Sequence, residues 1–343
     1  MSPYALSMLI SSLSAGTIIT FISNHWFLAW IGLELNTLAI IPIMSKMHHP
    51  RSTEAAIKYF LIQSMASALL LFATMLNAWY TGEWTIINMQ TQTPLLLLTT
   101  ALMIKLAVAP FHMWLPDVIQ GLDLMTCLIL STWQKLAPMT LMIQVSSEIN
   151  TTLFMFLGML SLLIGGWGGL NQAQLRKMMA YSSIAHLGWM MIVMSYSPNL
   201  TLLNLMMYLL LTTSMFLMMM KLLSTNINKM ASSWMKNLLF TSTMIIILMS
   251  LGGLPPLSGF MPKWLILEEI IKQNIPLAMM AAMSTLLSLF FYLRLSYMMS
   301  LTTPPTTMNS KLMWRLKMKL NMSTMIIMST MLLPITPLIL NMI

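Results

Sequence analysis

Apolar runs of about twenty residues recur along the whole chain with only short polar breaks between them, and this leaves few ways to fold. As an α-helix, a run of that length matches the hydrocarbon thickness of a bilayer. Read this way, the chain carries about eleven spans, at roughly 4–22, 25–44, 56–79, 93–116, 125–145, 151–170, 178–197, 200–222, 238–262, 276–299 and 322–341. The runs are continuous rather than alternating, which argues against a β-barrel. Charged residues form 7% of the chain, against about 25% in soluble domains. The expected fold class is therefore all-α: a polytopic membrane protein, a single transmembrane domain over residues 1–343 with no soluble domain.

Loop charges set an expected orientation. Lys46 and Arg51, Arg176 and Lys177, Lys229 and Lys236, and Lys311, Arg315, Lys317 and Lys319 follow even-numbered spans. Glu83, Glu148, Glu268, Glu269 and Lys272 follow odd-numbered ones, while the connection with Asp117 and Asp123 fits the pattern poorly. Counting Lys and Arg puts the even side toward the translating compartment, and the N-terminus with it. That N-terminus, M-S-P-Y-A-L-S, shows no cationic region and no Arg-rich presequence, so the first run is expected to be retained as a span.

Several chemistries are excluded. The net charge of +9 lies in short loops and at isolated helix positions, not on a basic face interleaved with aromatics, so no nucleic acid is expected. Cys127 is the one cysteine, which rules out intrachain disulfides and a cysteine-held iron–sulfur cluster. No G-x-G-x-x-G or Walker loop is present, and the five histidines are scattered, so neither a nucleotide nor a metal site is expected. Methionine occurs 43 times, more than core packing demands. With abundant Thr and one Cys, this points to the translation bias of an organelle in which an isoleucine codon is read as methionine.

Two stretches carry the chemistry. Leu102–Asp117 reads L-M-I-K-L-A-V-A-P-F-H-M-W-L-P-D, an apolar helix with Lys105 inside it, broken by Pro110 and Pro116. Ser250–Trp264 reads S-L-G-G-L-P-P-L-S-G-F-M-P-K-W, with a break at Pro255 and Pro256 followed by Lys263. Proline removes a helix hydrogen bond and frees a carbonyl, tolerable in a membrane only where protein or water covers it. The broken helices are the fourth and ninth spans, and their odd separation makes them antiparallel. That is the pattern of inverted repeats with a site near the midplane.

Four charges lie away from span ends: Glu34, Lys105, Lys135 and Lys263. Each costs roughly 2.5–3.5 kcal/mol at mid-bilayer on insertion scales. Glu34 is the one acidic residue at depth and is expected to pair with a lysine of another span. Desolvation and a carboxylate partner pull a lysine's proton affinity in opposite directions, which suits Glu and Lys to carrying protons. Plainer roles stay open. Both breaks can be structural kinks; Glu34 and Lys105 can form a fixed ion pair; Lys135 can point at a carbonyl near Pro138. His112 can cap freed carbonyls or relay a proton, and His186 can do either or hydrogen-bond across helices. Lys58, four residues after Glu54, reads as interfacial, and Lys221 and Arg294 as snorkelling from span ends. Trp26, Trp79, Trp84 and Trp264 read as interface anchors. Gly165, Gly166, Gly168 and Gly169 read as close helix packing.

Four motifs in order, P-R-S-T-E-A-A-I-K-Y-F at Pro50, K-L-A-V-A-P-F-H-M-W-L-P-D at Lys105, W-G-G-L-N-Q-A-Q-L-R-K-M-M-A-Y-S-S-I-A-H-L-G-W at Trp167 and G-G-L-P-P-L-S-G-F-M-P-K-W at Gly252, carry a resemblance over essentially the whole chain. It resembles the antiporter-like membrane-arm subunits of mitochondrial NADH:ubiquinone oxidoreductase, respiratory complex I, in the eleven-helix form found in vertebrates. The resemblance implies antiporter-like inverted repeats and a proton pathway. In it Glu34 serves the input half and modulates Lys105, Lys135 bridges the central axis, and Lys263 stands on the output side. His112 and His186 match family positions of less settled role. It also implies no cofactor in this chain, with flavin, iron–sulfur clusters and ubiquinone bound by other subunits. Partners would be those subunits, including neighbouring antiporter-like ones, and membrane lipids. The location would be the mitochondrial inner membrane, multi-pass, with the N-terminus on the matrix side. A stand-alone cation/proton antiporter and a purely structural subunit are the alternative readings.

Overall fold

The structure, a computed structural model, describes residues 2–46, 49–89, 91–235, 238–301, 329 and 333–335. It is helical throughout. Among the described residues the only β-type pairings are two isolated bridges, His25 with Thr85 and Gln174 with Asn226. The chain divides into two compact units, Met1–Leu160 and Ser161–Ile343.

The first unit contains α1 (Pro3–Ile22), α2 (Trp26–Met44), α3 (Pro50–Thr81), α4 (Gln92–Leu106), α5 (Trp114–Gly121), α6 (Leu124–Ser131), α7 (Trp133–Val145) and the start of α8 (Thr151–Leu170). Local signals start and stop these helices. Ser2 caps α1 with its hydroxyl on the Ala5 N–H, and Pro3 follows at the first helical position. Pro50 opens α3 in the same way, and Gly82 closes it in the left-handed conformation at φ 75°. α1 and α2 cross where Gly16 meets Gly32: a Cβ on either would lie 2.8 Å from the other's carbonyl oxygen. Small residues let backbones approach this closely. α3 packs on α2, α4 and α5, and α7 closes the unit against α1, α4 and α6.

The second unit takes the remainder of α8 and α9 (Leu175–Met194), α10 (Pro198–Leu222), α11 (Ile227–Ala231), α12 (Leu238–Gly252), α13 (Phe260–Gln273) and α14 (Ile275–Leu301). α9 is buried along nearly its whole length. The glycine run of α8 packs as expected. A Cβ on Gly165 would sit 2.7 Å from the Ala185 nitrogen, one on Gly168 would enter the Tyr181 ring, and one on Gly169 would press on the Phe291 ring. Buried hydroxyls turn back on their own helices, as Ser183 does to the Ala180 carbonyl at 2.7 Å and Ser214 to Leu211 at 2.8 Å. That satisfies them where no water is at hand.

Six described helices, α1, α2, α3, α8, α10 and α14, are long and apolar enough to cross a membrane. The chain is a multi-pass membrane protein, and most expected spans recur as helices. Four expectations are corrected. The span at roughly 125–145 is interrupted at Thr132, whose φ of −113° and ψ of −69° leave the helix while its hydroxyl bonds to the Leu128 carbonyl at 2.6 Å. α13 runs to Gln273, so Glu268, Glu269 and Lys272 stand on a helix rather than in a connection. Trp26 is 1% exposed, a core residue and not an interface anchor. Lys221 is buried over the Phe240 ring at 4.6 Å instead of snorkelling. The expected span at roughly 322–341 falls outside the described residues but for 329 and 333–335, and Lys236, Lys311, Arg315, Lys317 and Lys319 lie outside them too.

Candidate functional site

In the first unit the helix breaks before Pro110, whereas Pro116, expected to break it too, stands in the first turn of α5 and continues it. α4 ends at Leu106, and Ala107 turns left-handed at φ 61°, its N–H reaching the Ile104 carbonyl. Val108 N–H bonds to the Met103 carbonyl at 3.1 Å. Pro110, in a cis peptide after Ala109, and His112 fill the break, with His112 Nδ1 3.2 Å from the Pro110 oxygen. The chain resumes as α5, and Trp114 donates its Nε1–H back to the Ile104 carbonyl at 3.1 Å. The end of α4 is thus capped by backbone and indole. Lys105, in the last turn of α4, is not engaged in capping.

Lys105 is 7% exposed, and its Nζ has no hydrogen-bond partner among the described residues. It lines a small cavity together with Lys135, Tyr59, Gln63, Asn36, Thr37 and Gln134, among apolar side chains such as Leu106, Leu130 and Pro138. Lys135 is 5% exposed, two residues into α7 after the Thr132 interruption. Gln134 donates to the Asn36 carbonyl at 3.2 Å and so ties α7 to α2. Glu34 stands half-buried on α2 beside this cavity, its carboxylate accepting from the Thr37 hydroxyl at 3.0 Å. It acts on Lys105 through space, yet no ion pair joins them among the described residues. The fixed Glu34–Lys105 pair considered from sequence is not formed.

In the second unit α12 ends at Gly252, and Gly253 turns left-handed at φ 83°. A Cβ on Gly253 would sit 2.9 Å from Lys263 Cδ and Nζ, so only glycine leaves room for the side chain there. Lys263, on α13, donates to the Gly252 and Leu251 carbonyls at 2.8 and 3.3 Å. Pro255 and Pro256 lie in the loop between the two helices. Lys263 shares a pocket of about 200 Å³ with His186, Ser182, Ser288 and Tyr292. The His186 ring lies 5.5 Å from the Tyr208 ring.

The two breaks align without a gap. Ala107 matches Gly253, both left-handed; Pro110 matches Pro256, and Pro116 matches Pro262. Trp114 matches Phe260. Lys105 then falls opposite Leu251, and Lys263 opposite Asp117. The lysines therefore sit on opposite sides of their breaks: Lys105 before one, free of caps, and Lys263 after the other, holding the helix end.

The family model for the transmembrane region of NADH:quinone oxidoreductases and Mrp antiporters matches residues 23–290. The model for the C-terminus of NADH dehydrogenase subunit 2 matches residues 289–340. The chain belongs to this antiporter-like family. Among its relatives, NADH-ubiquinone oxidoreductase chain 2 of Salmo salar is 55% identical over 341 residues, covering 98% of both chains. That of Latimeria chalumnae is 55% identical over the same length and coverage. A chain in the structure of respiratory complex I from Thermus thermophilus has the same fold, with a TM-score of 0.86 at 24% identity over 99% of this chain and 80% of that one. A chain of the Mrp complex from Dietzia sp. follows at 0.77 and 18% identity, over 87% and 61%.

Within this antiporter-like frame the structure adds residues that sequence reading missed. Gln63 and Gln134 line the Lys105 cavity, and Trp114 caps the break. Their signal was present in the spacing. Gln134 adjoins Lys135, and Gln63 lies one helical turn beyond Tyr59 in a run otherwise apolar. Among the described residues no group of three metal-ligating side chains occurs.

Proposed function

We propose that this chain is a proton-translocating membrane-arm subunit of the mitochondrial NADH:ubiquinone oxidoreductase, complex I, coupled to electron transfer carried out by other subunits. The observation that carries the reading is Lys105. It is a buried amine with no hydrogen bond among the described residues, in a cavity shared with Lys135 and within electrostatic reach of Glu34. A buried cation is expensive in a membrane and marks an ion path when it is not fixed by partners. The relatives' name, NADH-ubiquinone oxidoreductase chain 2, supplies the reaction to which the path is coupled.

In this reading the proton enters near Glu34, moves to the Lys105 amine, passes to Lys135 and leaves by Lys263. Each lysine takes a proton as its neutral amine and gives one up as its ammonium. Movement of the Glu34 carboxylate toward or away from Lys105 favours one state or the other. His112 and His186 are the relay candidates, one in each unit. The whole chain works as one membrane domain with its N-terminus on the matrix side. Flavin, iron–sulfur clusters and ubiquinone belong to other subunits, consistent with a single cysteine here. The likeness to the Mrp chain is one of fold, so the stand-alone antiporter is the weaker reading.

The test is Lys105→Met in the assembled complex. Assembly is expected to persist, while NADH-driven proton pumping and turnover fall by about tenfold or more, the scale on which losing one proton-transfer group acts. Unchanged pumping refutes the assignment. Native particle size decides between complex and lone antiporter: a particle far larger than 38.8 kDa with NADH dehydrogenase activity supports the complex.

A further inference from the structure

A second polar recess opens in the first unit, outside the Lys105 cavity. This cleft, of about 600 Å³, is lined by Arg51, Glu54, Ala55 and Lys58 of α3 and by Asp117 and Gln120 of α5. The side chains of Lys58, Glu54 and Asp117 are 45%, 61% and 56% exposed, so the cleft opens to the outside of this chain. Lys58 holds Glu54 at 2.7 Å and stands 4.0 Å from Asp117, which leaves the Asp117 carboxylate the looser of the two acids. α3 and α5 abut closely here, since a Cβ on Gly121 would lie 2.6 Å from the Arg51 carbonyl oxygen.

The same two helices line the inner cavity one turn further on. On α3, Ala55 faces the cleft and Tyr59 the cavity; on α5, Asp117 faces the cleft and Trp114 the cavity. One turn advances about 5.4 Å. The Tyr59 and Trp114 rings, whose centroids are 5.8 Å apart, line the cavity on the helices that also wall the cleft. Asp117 is also the repeat counterpart of Lys263, which the proposed function places at the output. The corresponding position here carries an acid open to solvent.

We infer that the cleft is the mouth through which protons load the Lys105 cavity, with Asp117 as the residue that collects them; this rests on the proton-carrying reading above. The Asp117 carboxylate takes a proton from hydronium in the cleft, leaving water. The proton passes inward at Tyr59, whose hydroxyl accepts one proton as it hands its own on, enters the cavity beside Glu34, and ends on the Lys105 amine. The charged groups facing Asp117 are Arg51, Glu54 and Lys58 from α3; along its own segment the nearest titratable groups are His112 and Asp123.

Asp117 also stands in the first turn of α5, where a carboxylate favours the helix dipole, so the test needs a readout that a structural role leaves still. Asp117→Asn and Asp117→Glu are made in the complete complex, with assembly checked and NADH-driven pumping measured in proteoliposomes at about pH 6.5 and pH 8.5. Hydronium is about a hundredfold scarcer at the higher pH, and a positioned acid matters most there. Asp117→Asn is expected to pump near the parent rate at the lower pH and about tenfold slower at the higher, with Asp117→Glu restoring the profile. Equal fractional activity at both pH values overturns the inference. So does loss of a copurified phospholipid with an unchanged pH profile, which marks a headgroup site instead. Lys105→Met run in parallel separates the two levels. Retained pumping in that variant refutes the proton-carrying reading itself. Lost pumping there, with a flat Asp117→Asn profile, refutes only the mouth.

Discussion

Removing Lys105 and Lys263 should shift local stability in opposite directions. Lys105 presents a cation to the interior without a hydrogen bond, and insertion scales put that at about 2.5–3.5 kcal/mol. Methionine has nearly the same length and no charge. With part of the penalty already relieved by the polar cavity lining, Lys105→Met should stabilise α4 by about 2 kcal/mol. Lys263 is different. It donates to two helix-end carbonyls, at 2.8 and 3.3 Å, and hydrogen bonds from charged donors contribute about 1.5–3 kcal/mol each. Lys263→Met forfeits both and strands the carbonyls, while relieving one buried charge. The net is a loss of about 1–2 kcal/mol at the end of α12. Amide hydrogen exchange on the intact complex reads these locally. Protection across α4 should rise about thirtyfold in Lys105→Met, and protection across α12 should fall about tenfold in Lys263→Met. Both variants should pump poorly. If Lys105→Met loosens α4 as much as Lys263→Met loosens α12, then Lys105 is a structural partner and the reasoning fails.

Two further outcomes are expected from packing and surface charge. Gly165→Val should destabilise the second unit by about 1–3 kcal/mol, since even a Cβ there would meet the Ala185 backbone at 2.7 Å. Lower yield of assembled complex at raised temperature would show it, and parental yield would contradict the close packing. Outside the spans, the Lys272 ammonium donates to Glu269 at 2.7 Å, and this bond and charge raise its pKa above the ordinary lysine value. The amine therefore stays protonated to higher pH, and whatever the pair contributes is present below the ordinary lysine range and lost as pH rises through the raised value. Acylation of Lys272 at about pH 9.5 should accelerate in Glu269→Gln, and an unchanged rate would show the pair is not formed in solution.

Much of this molecule was legible in its residues. Apolar runs near the bilayer length report spans because an unsatisfied backbone in lipid leaves helices as the solution. Proline weakens a helix by removing one hydrogen bond, and the breaks at Pro110 and at Pro255 and Pro256 fall where it predicts, although Pro42 and Pro138 stay inside α2 and α7. Glycines at Gly165 and Gly168 report close approach because nothing larger fits. The four buried charges were picked out because their types are costly in an apolar run, wherever they point.

What the linear pattern does not carry is which side of a helix faces protein and which faces lipid, since both are apolar. Trp26 therefore reads as an interface anchor and proves to be core, and Lys221 reads as snorkelling and proves to lie over the Phe240 ring. The Thr132 interruption left no proline or glycine to mark it. Nor could composition tell that the two lysines differ. Lys105 and Lys263 are one residue type near one kind of break. Tertiary structure made one an amine in a cavity and the other a donor to the Leu251 and Gly252 carbonyls; at the matching positions Trp114 donates to the Ile104 carbonyl and Phe260 has no polar hydrogen. The sequence by itself determined a helical membrane protein with charges on two broken helices; the packing of side chains across the breaks decided which of those charges is left without a hydrogen-bonded partner.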